Sequence, residues 1–353
     1  VAHEYEILSI GNAIVDILSH VEEDFISTHD LQKGTMRLVD ESQSKAMLAT
    51  LGGTMQAPGG SAANTAACIA SLGASSAYIG KVAEDELGLA FREGMAQAGV
   101  DFSGGELHEG ISTANCLAVV TPDGERTMST FLGACRELSA SDISEELVGA
   151  SKILFLEGYL LDSPKTAAAM RKAATDAADR GNIVALTLSD ANCVRRNAPS
   201  CASLIFGNLL PGGGGGLVDV LIANDKEIAA LLEVLGYEVE DTERAISVCR
   251  DHFRFTTVVT LGAEGAVSIS GKTVTAVPAI PVDRIVDLVG AGDSFAAGYL
   301  VGHARDLPAE ECLKLGAACA SEIITTDGAR PLRPLSEIEA VAEILNRITP
   351  AAA

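Results

Sequence analysis

Hydrophobic and polar residues alternate over 5–10, and the alternation stops at Gly11 and Asn12. That pattern predicts a strand ending in a tight turn, with Asp16 just past the strand end. Apolar positions over 17–39 are unevenly spaced, around the segment 34–39, and residues 40–51 return to a helical spacing with Asp40 as a cap. Pro58, Gly59 and Gly60 then interrupt the chain. Ser61 is placed to cap a small-residue helix over 62–72 that Gly73 ends. A strand is predicted over 77–80 and a helix over 87–99. Two strands, 114–121 and 126–132, are joined through the turn signal Pro122, Asp123, Gly124.

From residue 152 onward strands and helices take turns. Strands are predicted at 153–156, 183–188, 218–223, 257–261 and 267–270, and helices at 164–180 (ended by Gly181), 225–235 and 241–253. Such alternation implies an α/β core with a parallel sheet and helices on both faces. The glycines of 212–216 form a flexible joint before a strand. They lack the G-x-G-x-x-G spacing, so no dinucleotide role follows. Gly271, Lys272 and Thr273 imitate a P-loop, but position 266 is Ala and the segment lies in an alternating hairpin, so that reading fails. Residues 336–347 read as a closing helix.

Charge narrows the partners. The chain carries 48 acidic and 25 basic residues, a formal net charge of −23. Such a chain repels nucleic-acid backbones and anionic membranes, so neither is an expected partner. A nucleotide can still bind, because local N–H groups and a divalent cation decide that. No apolar run approaches the ~20 residues of a membrane span, and the first residues lack the basic and apolar regions of a signal peptide. Eight cysteines form no C-x-x-C pair, which argues against zinc. Cys68, Cys116, Cys249 and Cys319 sit in apolar surroundings as reduced core residues, and a cytoplasmic location is expected.

Candidate chemistry concentrates at 286–295. Gly290 and Gly292 flank Ala291, Asp293 follows, and Phe295, Ala296, Tyr299 and Leu300 then fall at helical spacing. A helix N-terminus presents unpaired N–H groups that attract anions, and the glycines let a phosphate approach the backbone. A carboxylate there repels phosphate, unless its task is to take a proton from a hydroxyl that attacks phosphorus. The alternative is that Asp293 only caps the helix.

The run Asp287 to Asp293 resembles the D-T-x-G-A-G-D signature of the ribokinase-like (PfkB) kinases. Gly59, Gly60, Ser61, Ala62, Ala63 and Asn64, running on to Gly80, resemble a second signature of that family, and Asn224 to Glu227 matches its N-x-x-E. The form Gly-Asn-x-x-x-Asp ending at Asp16 is similar to the adenosine kinases in particular. Leu288 stands where the family usually has Thr, near a monovalent-cation loop, which leaves a potassium requirement open.

The resemblance implies one domain over 1–353. It would have a three-layer core, a mostly parallel central sheet with helices on both faces, and a small β-sheet lid from insertions at about 17–39 and 110–135. It implies transfer of the ATP γ-phosphate to the 5′-hydroxyl of a nucleoside, adenosine first, giving AMP. Asp293 is then the base, and the N–H groups of Gly290, Ala291 and Gly292 hold the developing charge. Arg126 either reaches the transferring phosphate or is a surface arginine on an edge strand. Asn12, Asp16, Gly59, Gly60 and Asn64 hold the acceptor's hydroxyls; for Asp16 the alternative is an ordinary turn residue. Met36, Leu38 and Phe131 line an apolar slot for the base. Asn224, Glu227, Thr260, Gly262, Gly265 and Asp287 serve the nucleotide, with Glu227 holding Mg²⁺ through water. Asn224 and Glu227 can instead be plain helix-capping residues. The tail 328–331 lies beside the adenine or is a helix-ending turn. Other readings are a kinase of ribose, fructose or a sugar acid, and an inactive nucleotide or nucleoside sensor. Relatives include monomers and lid-paired dimers.

Overall fold

The computed structural model describes residues 3–107, 110–207 and 215–347. Its main sheet has nine strands in the order Thr273–Val277, Ala266–Ser270, Thr256–Thr260, Val220–Asn224, Ile183–Thr187, Ser151–Glu157, Tyr5–Ile10, Ser76–Ile79, Val100–Phe102. Pairing is parallel from Thr256–Thr260 through Val100–Phe102, and antiparallel where the 266–277 hairpin joins the edge.

Successive strand residues point to opposite faces, and here both faces are covered. Ile7, Ile153, Phe155, Val220, Ile222 and Val258 pack into one core with the helices Ser61–Ser71, Ala291–Ala304 and Ala309–Ile323. Leu8, Leu154, Leu156, Val184, Leu186 and Val259 pack into the other with Pro164–Arg180, Asp225–Val234 and Thr242–His252. Burial on both sides is why these strands read as nearly continuous apolar runs. This is the three-layer α/β arrangement expected from the alternation.

The chain begins in the middle of the sheet. From Tyr5–Ile10 the next strands are added on one side, and Ser151–Glu157 opens the other side. Ligands in open α/β sheets sit beyond the carboxyl ends of the strands at such a reversal. Asn12 and Glu157 stand there.

A second, five-stranded sheet runs Met36–Leu38, Arg126–Phe131, Ala114–Val120, Ile14–His20, Met55–Gly59. It corrects the expectation for Asp16, which lies inside a strand and not in a turn. Val15, Ile17 and Ser19 are buried while Ile14, Asp16 and Leu18 are only partly so, the alternation of a sheet covered on one face. The sheet also draws on Met55–Gly59, which the sequence pattern left unassigned. Arg126 lies on an interior strand, flanked on both sides, so the edge-strand alternative fails.

Asp40 caps Glu41–Leu48 with a full capping box, as expected. Ser61 does not cap its helix: Gly60 holds the N-cap position at φ 94°. The helix Ala309–Ile323 had no counterpart in the sequence reading. It lies close along Ala291–Ala304, where a Cβ on Gly298 would come 2.6 Å from the Leu315 carbonyl oxygen. All eight cysteines are free and buried. Of the 212–216 joint, residues 212–214 lie outside the described residues. Among the described residues no helix is long and apolar enough to cross a membrane.

Candidate active site

Two loops converge where the sheet reverses, and one buried carboxylate ties them together. Glu157 ends its strand fully buried, and its two oxygens accept the Asn12 N–H and the Ala62 N–H, both at 2.8 Å. A Cβ on Gly11 would come 2.4 Å from Glu157 Oε2, so only glycine lets the loop close over it. Burial pushes the Glu157 carboxyl up to about 7, against the two amide bonds that favour its ionised form. The sequence reading passed over Glu157. Its signal was a carboxylate closing the apolar run 153–156, which a strand buried on both faces does not carry without partners.

Asp293 sits in the first turn of Ala291–Ala304, behind the left-handed Gly290 at φ 79°. Ser61 Oγ donates to its Oδ1 at 2.7 Å and Asn64 Nδ2 donates to its Oδ2 at 3.2 Å. The carboxylate therefore faces the N-terminus of a neighbouring helix and does not cap its own, which removes the capping alternative. Gly290 is backed by Ala329, whose Cα a Cβ would meet at 2.6 Å, whereas a Cβ on Gly292 would meet nothing within 4 Å. The backbone at Gly292 thus borders open space beside the Asp293 carboxylate.

The lid sheet supplies the opposite wall. Its register aligns Ala57, Asp16, Cys116, Thr130 and Leu38 in one row, and Met55, Leu18, Ala118, Met128 and Met36 in the next but one. Paired residues share a face, so Met36 and Leu38 stand on the same face as Asp16, and both are exposed. Phe131 pairs with Asn115, which pairs with Val15, and so belongs to the other, covered face. Its place in the slot is corrected. Arg126 and Phe131 differ by an odd number of positions along one strand, so they cannot face the same way. Leu18 and Met128, which the sequence reading did not select, stand on the Asp16 face.

Asp16 is seated over glycine: a Cβ on Gly59 would come 2.3 Å from its Oδ2, and a Cβ on Gly60 would come 2.2 Å from the Asn12 carbonyl oxygen. Burial raises the Asp16 carboxyl to about 6, with Arg126 and Arg330 opposing and Asp293 assisting. Among the described residues no side chain donates a hydrogen bond to it. Arg126 instead donates from Nη1 to Asp287 at 2.8 Å, joining the lid to the core. Asp287 also accepts the Val289 and Gly328 N–H groups. It orders the loop before the helix and does not line the nucleotide-sized cavity.

That cavity, about 610 Å³, is lined by Thr260, Gly262 and Gly265 together with Leu288, Gly292 and Phe295. The expected nucleotide residues thus divide. Thr260, Gly262 and Gly265 wall a space that ends at the Asp293 helix. Asn224 and Glu227 lie outside its lining and bond each other in a capping box, with Asn224 Nδ2 donating to Glu227 Oε1 at 2.7 Å. Glu227 is buried, and burial raises its carboxyl to about 7, with Asp190, Asp225 and Asp293 adding to the rise. A buried acid among acids, with no cation beside it among the described residues, fits a divalent ion held mainly by phosphate and water. The tail places Arg330, not a bare turn, at this site: its Nε donates to Asn64 Oδ1 at 3.2 Å.

Four carboxylates are therefore raised: Asp16 and Asp293 to about 6, Glu157 and Glu227 to about 7, from ordinary values of 3.8 and 4.5. The folded state holds these protons more tightly than the unfolded chain does. Stability contributed by the protonated forms is complete below the ordinary values and is lost as pH rises through 6 to 7. Denaturation midpoints of the ligand-free protein should fall between about pH 5 and about pH 8, with a shallower fall in Glu227→Gln. A midpoint that rises over this range contradicts the assignment.

The pfkB carbohydrate-kinase family profile matches residues 34–210 and 214–335. The crystal structure of an adenosine kinase from Sinorhizobium meliloti superposes with a TM-score of 0.83 at 39% identity, covering 94% of this chain and 98% of that one. A probable sugar kinase from Rhizobium etli gives a TM-score of 0.85 at 35% identity, covering 97% and 99%. Adenosine kinase 2 of Arabidopsis thaliana is 25% identical over 347 residues, 91% of this chain and 94% of that protein.

Proposed function

We propose that this chain, which belongs to the pfkB family of carbohydrate kinases, transfers the γ-phosphate of ATP to the 5′-hydroxyl of a nucleoside, adenosine first. Membership makes it an ATP-dependent phosphotransferase acting on a sugar or nucleoside; the nucleoside is our reading. One observation carries it. The lid face that bears Asp16 carries an apolar patch, Leu18, Met36, Leu38, Met55 and Met128, with Thr130, Arg126 and His20 as its other polar members. A bare sugar offers nothing to bury against such a face, whereas a base offers a flat apolar surface beside a ribose that Asp16 can grip.

In this reading Asp16 and the Asn12 loop accept the ribose hydroxyls, and the 5′-hydroxyl points at Asp293. Asp293 takes the hydroxyl proton as the oxygen bonds to the γ-phosphorus. The bond from that phosphorus to the bridging oxygen breaks, and ADP leaves. Backbone N–H groups at the helix N-terminus, those of Gly290 and Gly292 first because the Ala291 N–H donates to the Leu288 carbonyl oxygen at 3.3 Å, stabilise the charge on the transferring group. Arg126 turns from Asp287 toward that group. Glu227 would hold a Mg²⁺ ion through water, and that ion would supply neutralisation of phosphate charge. The product of adenosine would be AMP, a purine-salvage product. The sugar-kinase reading is kept for one reason, the likeness to the Rhizobium etli probable sugar kinase.

ADP production over a panel of adenosine, other nucleosides, ribose, fructose and sugar acids tests this. 2′-Deoxyadenosine should turn over at least about tenfold less efficiently than adenosine. A carboxylate left short of a donor costs more than the ~1–3 kcal/mol of an ordinary buried group, and each 1.4 kcal/mol is a decade. Asp16→Ala should erase most of that preference. Equal rates on the two nucleosides remove Asp16 from the site, and activity on sugars alone replaces the nucleoside reading.

A further inference from the structure

Arg330 has no part in the reaction as described above, yet it is placed against its centre. It follows the Ala309–Ile323 helix by a short loop, and the residue before it, Ala329, packs against Gly290 at the start of the Asp293 helix. Its Nε donates to Asn64 Oδ1 at 3.2 Å and its Nη2 reaches Met95 Sδ at 3.4 Å. Asn64 in turn donates from Nδ2 to Asp293 Oδ2 at 3.2 Å. An amide can present either end, and a turned-over Asn64 would set its carbonyl oxygen against a carboxylate. A guanidinium has only donors, so Arg330 can donate only to the oxygen end of Asn64 and leaves the amino end to donate to Asp293.

We propose that Arg330 is a positioning residue for phosphoryl transfer: it fixes the Asn64 amide that aims at Asp293 and keeps that carboxylate ionised to receive the proton. The inference rests on the reading of Asp293 as the base. The charges around Asp293 point the same way. Burial raises it to about 6, while Ser61, Asn64 and Arg330 hold it down. Asp16 from the lid, Glu157 from the central strand and Glu227 from its helix are acids in its field, as is the Cys68 thiol one turn beyond Asn64. Arg126 lies nearer to Asp16 and is committed to Asp287. Arg330 is then the cation that answers this acid cluster from the Asp293 side.

The test is the pH dependence of kcat for wild type, Arg330→Gln, Arg330→Lys and the double variant with Asn64→Ala, using adenosine or the best acceptor of the panel. Arg330→Gln should lower the plateau kcat about tenfold or more, because the Asn64 amide loses its anchor, and should move the acid limb up by about half a pH unit or more. The nucleotide KM should barely change. In the Asn64→Ala background the same replacement should cost much less, since the two residues act as one unit. In the ligand-free protein, the ¹³C carboxyl resonance that Asp293→Asn abolishes should titrate at higher pH in Arg330→Gln. A folded Arg330→Gln whose limb and carboxyl titration both stay put overturns the proposal. Should that variant not fold, Arg330→Lys carries the test. Lysine keeps the charge but lacks the planar fork, so kcat should fall while the limb stays, and an unchanged kcat overturns the proposal. If Asp293→Asn keeps its turnover, the base assignment fails. If it is inactive and the Arg330 limb is unmoved, this inference alone fails.

Discussion

Asp293→Asn is expected to cut turnover by roughly 10²–10⁴, the usual worth of a positioned base, while folding and nucleotide binding stay nearly intact. The replacement is nearly isosteric. Its amide oxygen can still accept from Ser61 Oγ or from Asn64 Nδ2, which bond the native carboxylate at 2.7 and 3.2 Å. The variant loses the ability to take a proton, together with a negative charge that burial already disfavours. Nucleotide affinity should therefore hold or improve slightly, because a repelling charge near the phosphates is gone. Single-turnover kinetics and nucleotide titration separate the two effects. A variant that keeps more than about a tenth of wild-type turnover shows that Asp293 only orders Ser61 and Asn64. Wild-type kcat should fall as pH drops through about 6, where the carboxyl takes up its proton.

Glu157→Gln should damage both stability and catalysis although Glu157 touches no substrate in this reading. Two amide N–H groups converge on its two oxygens. Glutamine offers one oxygen and one NH₂, so one donor would face another donor in a fully buried place. A buried unsatisfied donor costs about 1–3 kcal/mol, to be read from denaturant unfolding. The strained amide belongs to Asn12 or to Ala62, so either the acceptor loop or the helix carrying Ser61 and Asn64 shifts. A shift of about 1 Å at a site that depends on alignment costs about a hundredfold, and kcat/KM should fall at least tenfold. Glu157→Ala should be worse on both counts, with two donors orphaned and a cavity opened. Glutamine is also a mimic of protonated glutamic acid. A Glu157→Gln enzyme as stable and active as wild type would mean that the working form carries the proton and the loops are held by other contacts.

Much of this protein is written in short stretches of its sequence. Alternation and period state where strands and helices lie: the helix Pro164–Arg180, ended by a left-handed Gly181, matches the pattern residue for residue. Apolar runs at 153–156 and 183–188 announce strands covered on both faces, and hence three layers. Gly290, Gly292 and Asp293 announce the N-terminus of a helix beside an acid. These features are local, because turn chemistry, capping and period depend on a few neighbouring residues.

The remainder depends on residues far apart in the chain, and no window of sequence holds it. That Asp293 bonds Ser61 and Asn64, more than two hundred positions earlier, follows only when two helices are brought together by the cores beneath them. That Asp16 belongs to a lid strand follows from pairing with Met55–Gly59 and Ala114–Val120. The placement of Phe131 on the covered face, and of Met36 and Leu38 on the open one, is set by cross-strand register, which links three separate segments. Glu157 carries no motif, and the tail that holds Arg330 gave no sign of this side chain's role, because their partners are a backbone N–H pair and an amide from distant segments. The sequence by itself determined most elements of the core, though not the helix Ala309–Ile323 or the lid strands Ile14–His20 and Met55–Gly59, along with the layered architecture and the acid at the helix N-terminus. Only the tertiary structure decided which side chains share the cleft, since a side chain's direction is local but its company is not.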